Sequence, residues 1–179
     1  KPEPVTLQTK IIMSGSPWIY YLLFYLEPDY RKFFKGRADF DSRISRTPEI
    51  MQDYALFVAT HCKEEGLLPF DRSGMAGLLD YSARLVEDQQ KLSSQFTEIA
   101  DLIREASYWA GRDGATVVSR QFVKRAIEEK IYRSNLIEER MQELFEDGTI
   151  MVDVEGDVVG QINGLSVITL GDYMFGRPS

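Results

Sequence analysis

His61 and Cys62 are the single histidine and the single cysteine of a chain of 179 residues. A thiol served by an imidazole base is one way to build a nucleophile. Adjacency argues against it here. Neighbours on a helix point about 100° apart, so the two do not form a nucleophile–base pair by themselves. Cys62 reads more simply as a small core residue. A lone histidine also rules out a His-rich metal site. The acidic pairs Glu64–Glu65, Glu128–Glu129 and Glu138–Glu139 are the remaining candidates for cation ligands. Each lies on a charged helix face, and solvated surface is the simpler reading. No G-x-x-x-x-G-K-[ST] loop is present to cradle phosphates, no apolar run ends in Asp-Glu to hold Mg²⁺, and no G-x-S-x-G elbow occurs. Residue by residue, the chain offers no complete active site: no catalytic residue and no metal ligand is assigned.

The composition bounds the rest. With 44% hydrophobic, 27% charged and 12% aromatic residues the chain is globular, long enough for one domain or two small ones. A formal charge of −7 argues against binding nucleic acid through its phosphates, which needs clustered Lys and Arg. A single cysteine excludes an internal disulfide and fits a reducing, cytoplasmic compartment. No run is long and apolar enough to span a membrane. The opening Lys-Pro-Glu-Pro has no Met and no signal-peptide pattern, which suggests a slice of something longer.

The elements that must position any chemistry follow from period and punctuation. Residues 11–13 form an apolar run stopped by Ser14-Gly15-Ser16-Pro17, and read as a buried strand ending in a turn. Residues 18–26 are apolar on all sides, which predicts a largely buried helix interrupted at Pro28. Phe40 reads as the end of a short strand. Thr47-Pro48-Glu49 is a helix start, followed by Ile50, Met51, Tyr54, Phe57, Val58 and Cys62 at helical spacing, with Gly66 as the stop. Further helices are predicted over 72–89 and 94–111, the latter with Phe96, Ile99, Ile103, Ala106 and Ala110 inward. After an extended piece at 115–118, Ser119 caps a helix with Phe122, Val123, Ala126 and Ile127 inward. That helix runs on, or kinks, into a segment over 132–146. Beyond Asp147-Gly148 the period switches to two. Residues 149–154, 157–162 and 165–170 read as strands, with Asn163-Gly164 as a hairpin turn.

Several stretches in their order carry a resemblance: KIIMSGSP (10–17), DYRKFFKGRADFDSRISRTPE (29–49), EEGLLPFDRSG (64–74), SARLVEDQQKLSSQFTEIADLIREASYWA (82–110), IYRSNLIEERMQELFEDGTI (131–150) and GQINGLSVITLGDYMFGRPS (160–179). Together they resemble a Lon-like ATP-dependent serine protease, of the bacterial branch related to archaeal membrane Lon (LonB) but without its membrane segment. The implied fold class is α+β, mainly α. An AAA+ helical lid is flanked by a short strand and helix of the nucleotide-binding core and by a C-terminal antiparallel β-hairpin or meander. The implied division is residues 1–45 from the end of the nucleotide-binding subdomain, 46–130 as the lid, and 131–179 as a connecting helix with the first strands of the protease domain.

The resemblance also implies site residues, all of them cofactor-binding. Ser16 takes the strand-end place of a polar residue that senses the γ-phosphate or positions the attacking water. An arginine finger, which stabilises charge on a phosphoryl group of the neighbouring subunit, falls in PDYRKFFKGR. Arg31 is the first choice and Arg37 the second, with Lys32 a further candidate. The sensor position of the lid falls on Gln95, which supplies no charge, so the role passes in doubt to Arg84 or Arg104. The plainer reading of Arg104 is an ion pair on its own helix. The intact protein would bind ATP and Mg²⁺, assemble a homo-oligomeric ring of six, and unfold and cut protein substrates with a Ser–Lys dyad. This stretch, without Walker A and B motifs or the dyad, would bind no nucleotide and be inactive alone. Its work would be mechanical, with hinges near Ser45 and at Asp147-Gly148. Two other readings stand beside this: a helical interaction or adaptor module, and the lid of a MoxR or chelatase-type AAA+ ATPase.

Overall fold

A computed structural model describes residues 8–150, 155–156, 158–160, 162, 164–170 and 173–178. The chain divides into two compact units, residues 1–40 and 41–179.

The first unit holds α1 (Pro17–Leu26) and α2 (Tyr30–Phe33). Pro17 sits in the first turn of α1, where its missing N–H costs nothing. Glu27, extended before Pro28, ends it. The helix forms as its sequence predicts, but none of its residues is buried. Trp18 is 69% and Tyr25 74% exposed. A single four-residue helix beside it is too small to cover an all-round apolar surface. What packing there is comes from aromatic rings: Tyr20 meets Tyr21, Phe24 and Tyr30 at centroid distances of 5.4, 5.8 and 5.9 Å. The strand expected over 11–13 does not form either. Ile12 is 92% exposed, and among the described residues no strand pairs with this segment. Without a ladder partner an extended apolar run has nothing to hold its backbone groups. Phe40 lies outside any strand and is 94% exposed.

The second unit is a four-helix core with two small antiparallel strand pairs. Its helices are α3 (Pro48–Glu65), α4 (Arg72–Leu85), α5 (Phe96–Arg112) and α6 (Arg120–Ser134). The core gathers Tyr54, Val58, Cys62, Leu78, Ile99, Ile103, Val118 and Val123. Tyr54, Val58, Cys62, Ile99, Ile103 and Val123 are inward positions that the 3.6-residue period marks, whereas it marks neither Leu78 nor Val118; Phe96, marked inward, is 38% exposed. The helix ends are fixed locally. Thr47 Oγ1 accepts from Ile50 N–H at 3.3 Å, and Gly66 closes α3 with φ +66°. Asp71 caps α4 by accepting from Gly74 N–H at 2.8 Å. Ser119 holds the N-cap position of α6, but its side chain makes no cap bond. Arg120 N–H instead donates to Ser73 Oγ at 3.0 Å, and Ser73 donates to Asp71 at 2.7 Å. The start of α4 thereby caps α6.

Two expectations need correction. Helix α4 ends at Leu85 rather than 89, and Glu87 adopts φ +55°. The chain then forms β2 (Lys91–Ser93), paired antiparallel with β1 (Arg43–Ser45) in the register Ile44↔Leu92. Two three-residue strands are too short for alternation to reveal. The 119–146 stretch takes the kinked of its two expected courses, breaking at Asn135 into α6 and α7 (Leu136–Glu146). Finally, residues 158–160 turn instead of extending as part of a strand, with Val158 55% exposed. Of the strand expected over 149–154, residues 151–154 lie outside the described set, as does Asn163 of the expected turn. The C-terminal hairpin pairs β3 (Leu165–Leu170) with β4 (Tyr173–Pro178), register Val167↔Gly176. Among the described residues no helix is long and apolar enough to cross a membrane.

Candidate functional site

The residues to which the resemblance gives nucleotide roles fall in both units. In the first, Ser16 is the N-cap residue of α1, extended at φ −67°, ψ 151°, with no cap bond from its side chain. It is exposed. Arg31 projects from α2 onto the ring of Phe24, 3.9 Å from its centroid, and its Nε donates to Phe24 O at 3.4 Å. Arg37 is held more firmly. Its Nε donates to Asp39 at 2.7 Å and its Nη2 to Tyr21 Oη at 3.2 Å, while the guanidinium lies 4.3 Å from the Tyr20 centroid. The bonds to Tyr21 and Asp39 raise the Arg37 pKa still further, so it stays charged. Lys32 lies 5.3 Å from the Phe33 centroid. The aromatic surface of α1 therefore carries Arg31 and Arg37, whereas Lys32 lies by a ring of its own helix.

In the second unit, Gln95 is the N-cap residue of α5 and is exposed; its side chain makes no cap bond. Its backbone N–H donates to Ser93 Oγ at 3.1 Å. Arg104 is fully engaged. Its Nε and Nη2 grip both oxygens of Glu65 at 2.7 and 2.6 Å, and Nη1 meets Asp101 at 2.7 Å. Hydrogen bonding from Arg104 holds the Glu65 carboxyl below its usual range. One of the pairs expected on the helix surface, Arg104–Asp101, is present; the stronger one ties α5 to the end of α3. Gln95 and Arg104 lie nine positions apart, about 13.5 Å of rise and two and a half turns, which puts them on opposite faces. The two side chains thus cannot reach one phosphate together. Arg84 is exposed in the last turn of α4, with no ion pair among the described residues.

His61 and Cys62 do not form a pair. The Cys62 thiol is buried, 4% exposed, and burial pushes its pKa up, which disfavours thiolate. His61 stacks on Phe57, and its Nε2 lies 3.5 Å from Glu65 Oε1. Among the described residues, no three His, Cys, Asp or Glu side chains gather as a metal site would require. The described residues therefore do not fit a Mg²⁺ site.

The periodic pattern missed the most ordered polar feature. Tyr54, Ser82 and Ser93 bury their hydroxyls beside β2, and Tyr54 Oη and Ser82 Oγ are 2.8 Å apart. Tyr54 and Ser82 read as helix-face residues in the sequence, and nothing local signals that they meet. Ion pairs complete the bundle. Glu105 grips Arg133 through two 2.7 Å bonds, Glu98 meets Lys130 at 2.8 Å, and Asp80 bridges Arg120 at 2.6 Å and Arg46 at 3.5 Å.

Comparisons with known proteins agree with this architecture. Residues 69–133 match the family model for the AAA+ ATPase lid domain of archaeal LonB, and residues 1–41 match that for the LonB-like AAA domain. The chain is 30% identical over 127 residues to an archaeal Lon protease of Archaeoglobus fulgidus, covering 68% of this chain and 20% of that protein. It is 28% identical over 153 residues to an archaeal Lon protease of Halobacterium salinarum, covering 80% of this chain and 21% of that protein. The chain thus spans about a fifth of the length of the curated relatives it matches.

Proposed function

The chain belongs to the LonB-related, Lon-like AAA+ family, and from that premise we propose that it is the lid region of an ATP-dependent serine protease. The observation that carries this is the α3–α6 bundle with its continuous core, since the lid match at 69–133 falls on its α4, α5 and α6. We take residues 46–130 as the lid, 1–45 as the end of the nucleotide-binding subdomain, and 131–179 as the link to the protease domain with its first hairpin.

In this reading ATP supplies the phosphoryl chemistry and this chain supplies polar contacts around it. Arg31, with Arg37 second, reaches a phosphate of the neighbouring subunit. Both guanidiniums are exposed, and the aromatic faces beneath them restrict their rotamers. Ser16 holds a hydroxyl at the turn before α1. Gln95 offers an uncharged carboxamide from the N-terminal end of α5. Arg104, committed to Glu65 and Asp101, braces α3 against α5, and Arg84 is a lid cation without an ion pair among the described residues. Mg²⁺ is assigned to residues outside this chain. The whole protein would be a cytoplasmic ring, a hexamer by family analogy, that draws protein substrates through its pore. The lid would pass nucleotide-driven motion through α7, with hinges near Ser45 and at Gly148, whose φ of +75° suits a flexible joint.

The test compares two purified proteins. Residues 1–179 alone are expected to hydrolyse neither ATP nor casein above a blank. The complete protein is expected to hydrolyse ATP. Turnover by the isolated 179 residues, or a complete protein without ATPase activity, contradicts the proposal.

A further inference from the structure

The hydroxyls of Tyr54 and Ser82 close a ring on the backbone of Ser93. Ser93 N–H donates to Ser82 Oγ at 2.8 Å, and Tyr54 Oη donates to Ser93 O at 3.0 Å. A carbonyl only accepts, so the one Tyr54 hydrogen is spent there. The 2.8 Å contact between the two hydroxyls must then use the Ser82 hydrogen. Hydrogen bonds therefore run in one sense: Ser93 N–H to Ser82, Ser82 to Tyr54, Tyr54 to Ser93 C=O. Every donor in the ring is satisfied, and all three residues are at most 2% exposed.

The arrangement does more than satisfy buried groups. Strand β2 has β1 on one edge and, among the described residues, no third strand on the other. The ring occupies that second edge and takes both backbone groups of Ser93. Ser93 Oγ, which the ring does not use, accepts from Gln95 N–H. Helices α3 and α4 thus fix the last residue of β2, and through it the residue that opens α5. The Gln95 carboxamide itself is exposed and has no bond among the described residues. An apolar trio could fill the same volume at less desolvation cost. It could not hold both the N–H and the C=O of one residue.

We infer that Tyr54, Ser82 and Ser93 are positioning residues that set where Gln95 presents its side chain. This rests on the nucleotide-facing reading of Gln95 given above. The role is indirect: none of the three touches nucleotide.

The test uses ATP hydrolysis by the complete protein, with KM and kcat separated. Ser93→Ala leaves the ring intact, because the ring uses only the Ser93 backbone, and unties Gln95 N–H. It is expected to raise KM for ATP about three- to tenfold, the scale of one neutral hydrogen bond, and Ser93→Thr is expected to restore it. In a Gln95→Ala background the same substitution adds no further KM change, because the effect acts through Gln95. Tyr54→Phe breaks the ring from its far side and gives the same pattern if Ser93 variants fold poorly. A lower melting temperature with unchanged KM, or an equal KM shift with and without Gln95, overturns the inference. If Gln95→Ala moves KM and neither Ser93→Ala nor Tyr54→Phe does, the positioning role alone is wrong. If Gln95→Ala itself leaves both constants unchanged, the nucleotide-facing reading of Gln95 falls, and the positioning role falls with it.

Discussion

Arg104 shows how much a single side chain's surroundings decide. Sequence leaves it open between a phosphate contact and an ion pair. Three short bonds to Glu65 and Asp101 make it a tie between the end of α3 and the middle of α5. Because Arg104 lowers the Glu65 pKa, the tie contributes stability above the ordinary glutamate value of about 4.3. That contribution is lost as pH falls through the lowered folded-state value. Arg104→Ala is therefore expected to destabilise the fold modestly at pH 7, less in high salt, and less at pH 3 than at pH 7. Denaturant titrations at both pH values measure this, and an equal loss at both contradicts it. Asp101 was legible as a partner, being three residues away on the same helix. Glu65 was not, because it lies 39 residues away. The hydroxyl ring was hidden for the same reason, with Tyr54 and Ser82 separated by 28 residues.

Among the elements, long helices were the legible part. Their period marks Tyr54, Val58 and Cys62 on α3, Ile99 and Ile103 on α5, and Phe122 and Val123 on α6, all of them buried. Caps at Thr47 and Gly66 set the ends of α3. The run over 165–170 was also legible and forms β3; what escaped was the short β1–β2 pair. Strands β1 and β2 exist because each supplies the other's hydrogen bonds, and three residues carry no readable alternation. Helix α1 shows the opposite failure, since an apolar composition predicts burial only where something is present to bury it. One close approach gives an element-scale prediction. A Cβ at Gly74 would lie 2.3 Å from Val118 O, and that carbonyl also accepts from Asp71 N–H at 3.1 Å. Gly74→Ala must push the start of α4 away from the segment before α6. The expected loss is about 1–3 kcal/mol in chemical denaturation; an unchanged midpoint would mean that this approach is not held tightly.

For the whole molecule, the family gives the residues a setting that no local pattern supplies. A lid bundle with a packed core, ion pairs between its helices and an exposed Gln95 is suited to report nucleotide state rather than to perform chemistry. Cations carried on the aromatic surface of α1 are suited to act on a neighbour. We propose that this stretch serves ATP-driven proteolysis by contributing Arg31 or Arg37 across a subunit boundary. The decisive measurement is casein degradation by the complete protein with ATP·Mg²⁺, with a non-hydrolysable analogue, and for an Arg31→Ala/Arg37→Ala double variant. Degradation is expected only with hydrolysable ATP, with a loss of at least about tenfold in the double variant, below the range known for arginine fingers. Degradation indifferent to ATP, or a double variant as fast as the unsubstituted protein, would contradict it.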